Sequence, residues 1–466
     1  MKKKLWIVLT VIPLAVLLVT VPWLLFVNGN VDLKKSSEEA YAEKSLEVET
    51  IEDLKVPDVT GDVAPGIGAV EETKKAVEED VFEEYDITMM AVGDNLMHMG
   101  IVHTGKQLDG TYNYDMLFRN ITEILDSTDI KIINQETILG GNQFGFSGFP
   151  AFNSPTEVGD AIAKAGFNVV LSATNHAADM KIAGIENSIH YWETHPDILF
   201  AGTTLEENDD TIPILTIKDK TFAILNYTYG PNMETIPASI KGHLKMLCAY
   251  DEKSGLIQFT ELNPQVPEEI RRAKEMADVV IVCPHWGTEY QSNASSFQKK
   301  WAVEMADAGA DVIIGTHPHV PQPVEWIETE NGGKALCFYS LGNYVSTQKQ
   351  SLCMLEGMAY VVFHVTEDGI SVALERSGVV PLVCHYTSEP VRFENVYFLE
   401  DYTEEQALKH GIWNYGGVPL HLEDLQKRSL EIFGDYAINK KDILNQQDTL
   451  DEQMTDGQCT SSDVGQ

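Results

Sequence analysis

Downstream of residue 84, short runs of apolar residues alternate with amphipathic stretches, and each run stops abruptly at polar residues. The runs are Ile87–Val92, Ile130–Ile133, Phe167–Ser172, Val279–Cys283, Asp311–Ile314 and Ala335–Tyr339. Apolar at nearly every position, they predict strands buried on both faces, as in a largely parallel sheet covered by helices. Between them, Asn120–Asp126, Ser154–Ala165, Pro267–Ala277 and Ser295–Ala308 space their apolar residues for one face of a helix. Two of these open on capping signatures. In Ser154-Pro155-Thr156-Glu157 the proline is expected at the first helical position and Ser154 and Glu157 in a capping box; Ser295-x-x-Gln298 is the second. Gly166 and Gly309 are the expected stops. The stretch 201–264 reads as shorter β segments, including Thr221–Tyr227, and Leu420–Phe433 reads as one amphipathic helix. The alternation predicts an α/β fold.

The first residues add a different element. Met1 is followed by three lysines and then by Leu5–Val27, which carries no charge. That run is long enough to cross a hydrocarbon core of about 30 Å. It exceeds the apolar region of a cleaved signal peptide and lacks a small-residue cleavage site. Lysines on its N-terminal side place that end in the cytoplasm. Residues 1–30 are therefore expected to be an uncleaved signal anchor, giving a single-pass protein of the cell membrane with its large domain extracytoplasmic. Residues 31–84, rich in Glu, Asp, Lys and Ser and broken by Pro57, Gly61, Pro65, Gly66 and Gly68, read as an acidic flexible linker. Residues 85–390 form the expected domain, 391–445 a C-terminal extension, and 446–466 a polar, disordered tail.

A formal net charge of −38 excludes nucleic acid as a partner, because phosphate binding needs basic stripes that the chain lacks. Six cysteines, Cys248, Cys283, Cys337, Cys353, Cys384 and Cys459, show no C-x-x-C spacing and so no zinc ribbon. Cys283 and Cys337 lie in strand runs and read as core residues, whereas pairing of Cys353 with Cys384 in an oxidising compartment stays open.

The chemistry lies in the residues that end the runs. Asp94, Glu136, Asn175 with His176, His285, and His317 with His319 each follow directly on a predicted strand. In α/β sheets, ligands bind outside the carboxyl ends of the strands. A His-x-His pair around Pro318 is, taken alone, more often a solvated turn than a site. Oxygen and nitrogen donors at five strand ends are much harder to assign to chance, and two carboxylates, an asparagine and several histidines are what a two-metal site needs. Imidazole with carboxylate suits Mn, Zn or Fe better than Mg or Ca, so two divalent transition metal ions are the expected cofactors. Blander roles stand beside these: Trp286 and Tyr290 as loop packing, Glu289 as a partner for a ligand histidine, Asn343 as a cap, and His98, His103 and His243 as solvated residues, with His98 the best placed.

Several motifs together carry a family resemblance. Gly93-Asp94, Asn134-x-Glu136, Thr174-Asn175-His176, His285-Trp286-Gly287-Thr288-Glu289-Tyr290, Gly315-Thr316-His317-Pro318-His319-Val320 and Ser340-Leu341-Gly342-Asn343-Tyr344 resemble the bacterial CapA capsule-synthesis family, over roughly residues 87–384. The resemblance implies a calcineurin-like metallophosphatase fold, a β-sandwich flanked by helices, and a role in poly-γ-glutamate production. It implies Asp94 as a ligand of the first metal, Glu136 as the bridging carboxylate, Asn175, His285 and His317 on the second metal, and His319 on the first. His176 becomes the general acid or the stabiliser of the leaving oxygen. Asn95, Trp286, Glu289 and Asn343 fall beside the ligands or toward substrate. Metallophosphatases usually open with Asp-x-His; here Asp94 is followed by Asn95 and Leu96, which makes His98 the candidate additional ligand. Two functions follow. One is a metal-dependent hydrolase acting on a phosphoester or on the anionic polymer. The other is a non-enzymatic subunit of a poly-γ-glutamate synthesis and export complex, with a structural or vestigial metal site and other capsule-synthesis membrane proteins as partners.

Overall fold

The computed structural model of the protein describes residues 82–416 and 420–445. The expected signal anchor, nearly all of the linker, the tail from residue 446 and Cys459 lie outside them. Among the described residues no helix is long and apolar enough to cross a membrane.

Two sheets stack face to face. The first runs, from edge to edge, Arg392–Phe398, Gly378–Thr387, Leu355–Thr366, Tyr85–Asn95, Ile130–Asn134, Val169–Leu171 and Leu199–Ala201. Its half from Tyr85–Asn95 to Leu199–Ala201 is parallel and the other half antiparallel. The second runs Val324–Glu328, Lys334–Phe338, Val312–Ile314, Val279–His285, Lys220–Thr228 and Ile214–Ile217, parallel in the middle and antiparallel at both edges.

The strand runs are apolar at nearly every position because both of their faces are buried. Ile87, Met89 and Ala91 pack with Ile281, Ile314 and Phe338 in the layer between the sheets. Their alternates Met90 and Val92 meet Ile124, Val158 and Ile162 of helices Thr122–Asp126 and Glu157–Ala165. On the second sheet Val280, Val282 and Ile313 meet Ile270, Trp301 and Met305 of helices Gln265–Met276 and Ser296–Ala308. The period of two along each strand thus sorts side chains into helix, sheet, sheet and helix layers.

Local signals hold in part. Ser295 Oγ accepts from the Gln298 N–H and Gln298 Oε1 accepts from the Ser295 N–H, forming the expected capping box, and Gly166 and Gly309 close their helices at φ +91° and +119°. The box expected at Ser154 does not form. Its hydroxyl donates instead to Thr137 Oγ1 at 2.8 Å, and the helix begins at Glu157 with no side-chain cap. A buried tertiary bond has displaced the local one. Residues beyond 390 are more than an extension, since Arg392–Phe398 forms an edge of the first sheet. Cys353 and Cys384 are both free and buried, so they do not pair.

The parallel strands all point their C-terminal ends to one side. Asp94 pairs with Asn134 and with Asn343, Asn134 with Leu171, and His285 with Thr316, so the polar residues after each strand converge. Ile281, fully buried between the sheets, tests this packing. Ile281→Ala is expected to cost about 2–5 kcal/mol of unfolding free energy, read as a lower denaturant midpoint with unchanged slope. A loss below about 1 kcal/mol would contradict tight packing between the sheets.

Candidate metal centre

Asp94 and Glu136 are both fully buried. Asp94 is held on three sides: its N–H donates to Gly342 O at 3.0 Å, Asn134 Nδ2 donates to Oδ1 at 2.8 Å, and the His317 N–H donates to Oδ2 at 3.2 Å. Neither oxygen of Glu136 has a hydrogen-bond partner. Around it stand His285 Nε2 at 3.9 Å and His176 Nε2 at 4.0 Å from Oε1, and His319 Nδ1 at 3.8 Å from Oε2. His319 Nδ1 is also 3.2 Å from Asp94 Oδ2. Gaps near 4 Å are too wide for hydrogen bonds. They suit two donors that share one ion, each roughly 2.0–2.2 Å from it.

Three three-residue groups have this spacing, with one donor atom from each residue inside 4.8 Å, and two of them are wholly buried: Asp94, Glu136 and His319, and Glu136, His285 and His317. Glu136 is common to both. The donor chemistry fits a transition metal, since imidazole nitrogens and the unpaired carboxylate oxygens of Glu136 lie buried within metal-binding distance of one another. Burial, then the charge of Asp94, pushes the Glu136 carboxyl well above the usual carboxylate range. Burial and the neighbouring imidazoles push His285 and His317 well below 6.5. For His319 burial acts downward, but Glu136 and Asp94 outweigh it and raise the ring to about 9.

The rings are aimed by neighbours. His285 has Asn175 Oδ1 at 2.9 Å from Nε2 and Thr316 Oγ1 at 2.9 Å from Nδ1. His319 Nδ1 is 3.1 Å from Asn343 Oδ1, and Asn343 Nδ2 donates back to His319 O at 3.2 Å. His176 Nδ1 is 2.7 Å from Asp179 Oδ2, and Asn175 Nδ2 donates to Asn232 Oδ1 at 3.1 Å. Close backbone contacts set the register. A Cβ on Gly93 would fall 1.9 Å from Gly342 O, and one on Gly315 would fall 2.0 Å from Tyr339 O.

Asp94, Glu136, His285, His317 and His319 are thus brought together, with Asn175 and His176 alongside. His98 is not part of either group: its Nδ1 accepts from the Thr347 N–H at 3.4 Å, its ring packs edge-on against Phe152, and burial pulls it down to about 4. Asn95 turns away to Gln135 Oε1 at 2.6 Å. Trp286 is fully buried, with Nε1 donating to Tyr339 O at 2.9 Å, so it packs the sheet end and does not face substrate. Asn343 orients His319 rather than capping a turn. Sequence reasoning misses Asn134, Thr316, Asp179 and Asn232 as contributors. Asn134 is signalled only by its place two residues before Glu136, and Asp179 by its place three after His176.

The class defined by fold and site is a mixed α/β sandwich whose strand ends gather carboxylates and imidazoles at metal-binding spacing. Residues 88–348 match the bacterial capsule synthesis protein PGA_cap family, and the chain belongs to it. It is 32% identical over 236 residues to the PGA biosynthesis protein CapA of Bacillus subtilis (strain 168), a match covering 49% of this chain and 54% of that protein. It is 28% identical over 310 residues to the capsule biosynthesis protein CapA of Bacillus anthracis, covering 64% of this chain and 68% of the relative. The chain therefore spans about half the length of the first relative and about two thirds of the second. A solved structure of a hypothetical protein from Thermus thermophilus overlaps 61% of this chain and 98% of its own at TM-score 0.33 and 14% identity, too slight a likeness to carry an argument.

The electrostatics predict a pH dependence for metal-stripped protein. A folded-state value of about 9 for His319, above its ordinary 6.5, means that its stabilising charge is fully present below 6.5 and lost as pH rises through 9. The raised carboxyl of Glu136 acts with the same sign. Chelator-treated protein should lose thermal stability across that interval, and His319→Gln should flatten the slope. A slope that the substitution leaves unchanged would contradict the assignment.

Proposed function

We propose that this chain is a membrane-anchored, extracytoplasmic metal-dependent hydrolase of capsule or poly-γ-glutamate biosynthesis, on a metallophosphatase-like sandwich, acting on a phosphoester or on the polymer. One observation carries the reading. Glu136 lies buried with both oxygens unpaired, at the point shared by two groups of metal-ligating residues.

On this reading Asp94 and His319 would hold a first ion and Asn175, His285 and His317 a second, with Glu136 common to both groups. Two divalent transition metal ions, Mn, Zn or Fe, would there polarise the scissile group and make a bound water acidic enough to attack. The rest is the work of side chains. Asp179 fixes the His176 ring through Nδ1 at 2.7 Å, which leaves Nε2, turned toward Glu136, as the atom that gives a proton to the leaving oxygen. Asn134 and the His317 N–H occupy Asp94 and keep its carboxylate from turning. Leu5–Val27 is the proposed anchor, and other capsule-synthesis membrane proteins are the proposed partners.

The departure at Asn95 and Leu96 supports a second reading. With His98 outside the groups, the first ion has fewer protein ligands than the second, as a site retained for structure in a non-enzymatic assembly subunit would have.

The two readings separate on His176. With the full chain loaded with Mn or Zn, His176→Ala should lower phosphoester or poly-γ-glutamate hydrolysis by about 10²–10⁴-fold while metal content and melting temperature stay near wild type. If neither substrate is turned over by the loaded wild type, and polymer production in cells survives His176→Ala but not removal of residues 5–27, the subunit reading stands instead.

A further inference from the structure

Glu289 belongs to neither group that shares Glu136, yet its carboxylate lies within 4.8 Å of donor atoms on both His317 and His319. It is exposed where the two imidazoles are buried, so it stands on the solvent side of the cluster. His317 Nδ1 is itself buried with no hydrogen-bond partner.

The turn that carries Glu289 is tied to these histidines. The Tyr290 N–H donates at 2.8 Å to the carbonyl of Pro318, the residue between them. Gln322 Nε2 donates to Gln291 O at 2.8 Å and to Asn293 O at 3.2 Å, and Gln298 Nε2 donates to Gln322 Oε1 at 2.7 Å. Three non-glycine residues here take left-handed backbone: Tyr290 at φ +64°, His317 at +97° and His319 at +59°. Such strain persists only where the surroundings enforce it, and it gathers at ligand clamps. Phenol rings flank the approach, with Tyr229 centred 4.7 Å from the His317 ring and Tyr290 6.0 Å from that of His319.

We infer that Glu289 is an exchangeable ligand on the open face of the cluster, which an anionic substrate must displace, so that the site is set against small free anions. The inference rests on the metal reading proposed above. A resident carboxylate competes with phosphate for one coordination position. A small anion brings nothing else to the contest, whereas a larger substrate adds contacts beyond that one position and prevails. Glu289 is therefore a specificity residue.

The test uses the full chain loaded with Co(II), inorganic phosphate as the probe, and Glu289→Gln, an exposed change that leaves the fold alone. The variant should keep the wild-type metal content, shift the visible cobalt spectrum before any phosphate is added, and bind phosphate about tenfold more tightly. Unchanged phosphate affinity overturns the inference. So does tighter phosphate with an unshifted spectrum, which is charge acting through space, and so does loss of an ion from the variant, which would make Glu289 an essential ligand. A wild-type chain that takes up no metal fails the underlying metal reading and takes this inference with it, an outcome distinct from the other three.

Discussion

A carboxylate buried with neither oxygen hydrogen-bonded is costly unless a cation joins it. Glu136 is in that state, at the point shared by two groups of metal-ligating side chains. Burial, and then the like charge of Asp94 placed beside it, raise its carboxyl well above the usual range. The histidines that would relieve the repulsion stand near 4 Å from Glu136, too far to bond to it directly. Left-handed backbone at His317 and His319, and glycines pressed against carbonyls at positions 93 and 315, maintain that spacing. A divalent ion on either side of Glu136 would invert the local logic, turning repulsion among carboxylates into attraction.

The sandwich explains how one site draws residues from distant parts of the chain. Parallel strands from two sheets deliver Asp94 and Glu136 from one layer and His285, His317 and His319 from the other, with their C-terminal ends on a common edge. The layer between the sheets, filled by Ile87, Met89, Ile281, Ile314 and Phe338, holds the two halves in register. Chemistry and stability are coupled here, because a slip between the sheets would move one set of donors away from the other.

Most of the donor set is legible because each nearly apolar run stops just before its donor, and runs buried on both faces have few polar residues to blur that end. The antiparallel strands are less legible: Glu356 and Gly357 break the pattern of Leu355–Thr366, and Pro381 breaks that of Gly378–Thr387. Periodicity also does not say which sheet a strand joins; Val169–Leu171 and Val312–Ile314 read alike and lie in different layers. The local pattern misleads at Ser154 because its hydroxyl serves Thr137, a contact with no local trace in the sequence. The orienting residue Asn232 is hidden for the same reason, since a single polar residue in a loop has no period to betray it, whereas Asp179 and Thr316 stand near donors without any sign of the bonds they make.

The proposed function rests on Glu136 being shared by two metal ions, and anomalous diffraction from crystals of the Mn-loaded protein tests that proposal most directly. The account predicts two anomalous peaks about 3.5–4 Å apart, one on each side of Glu136. One lies toward Asp94 and His319, the other toward His285 and His317. A map with no peak within reach of Glu136, from protein saturated with metal, would contradict it.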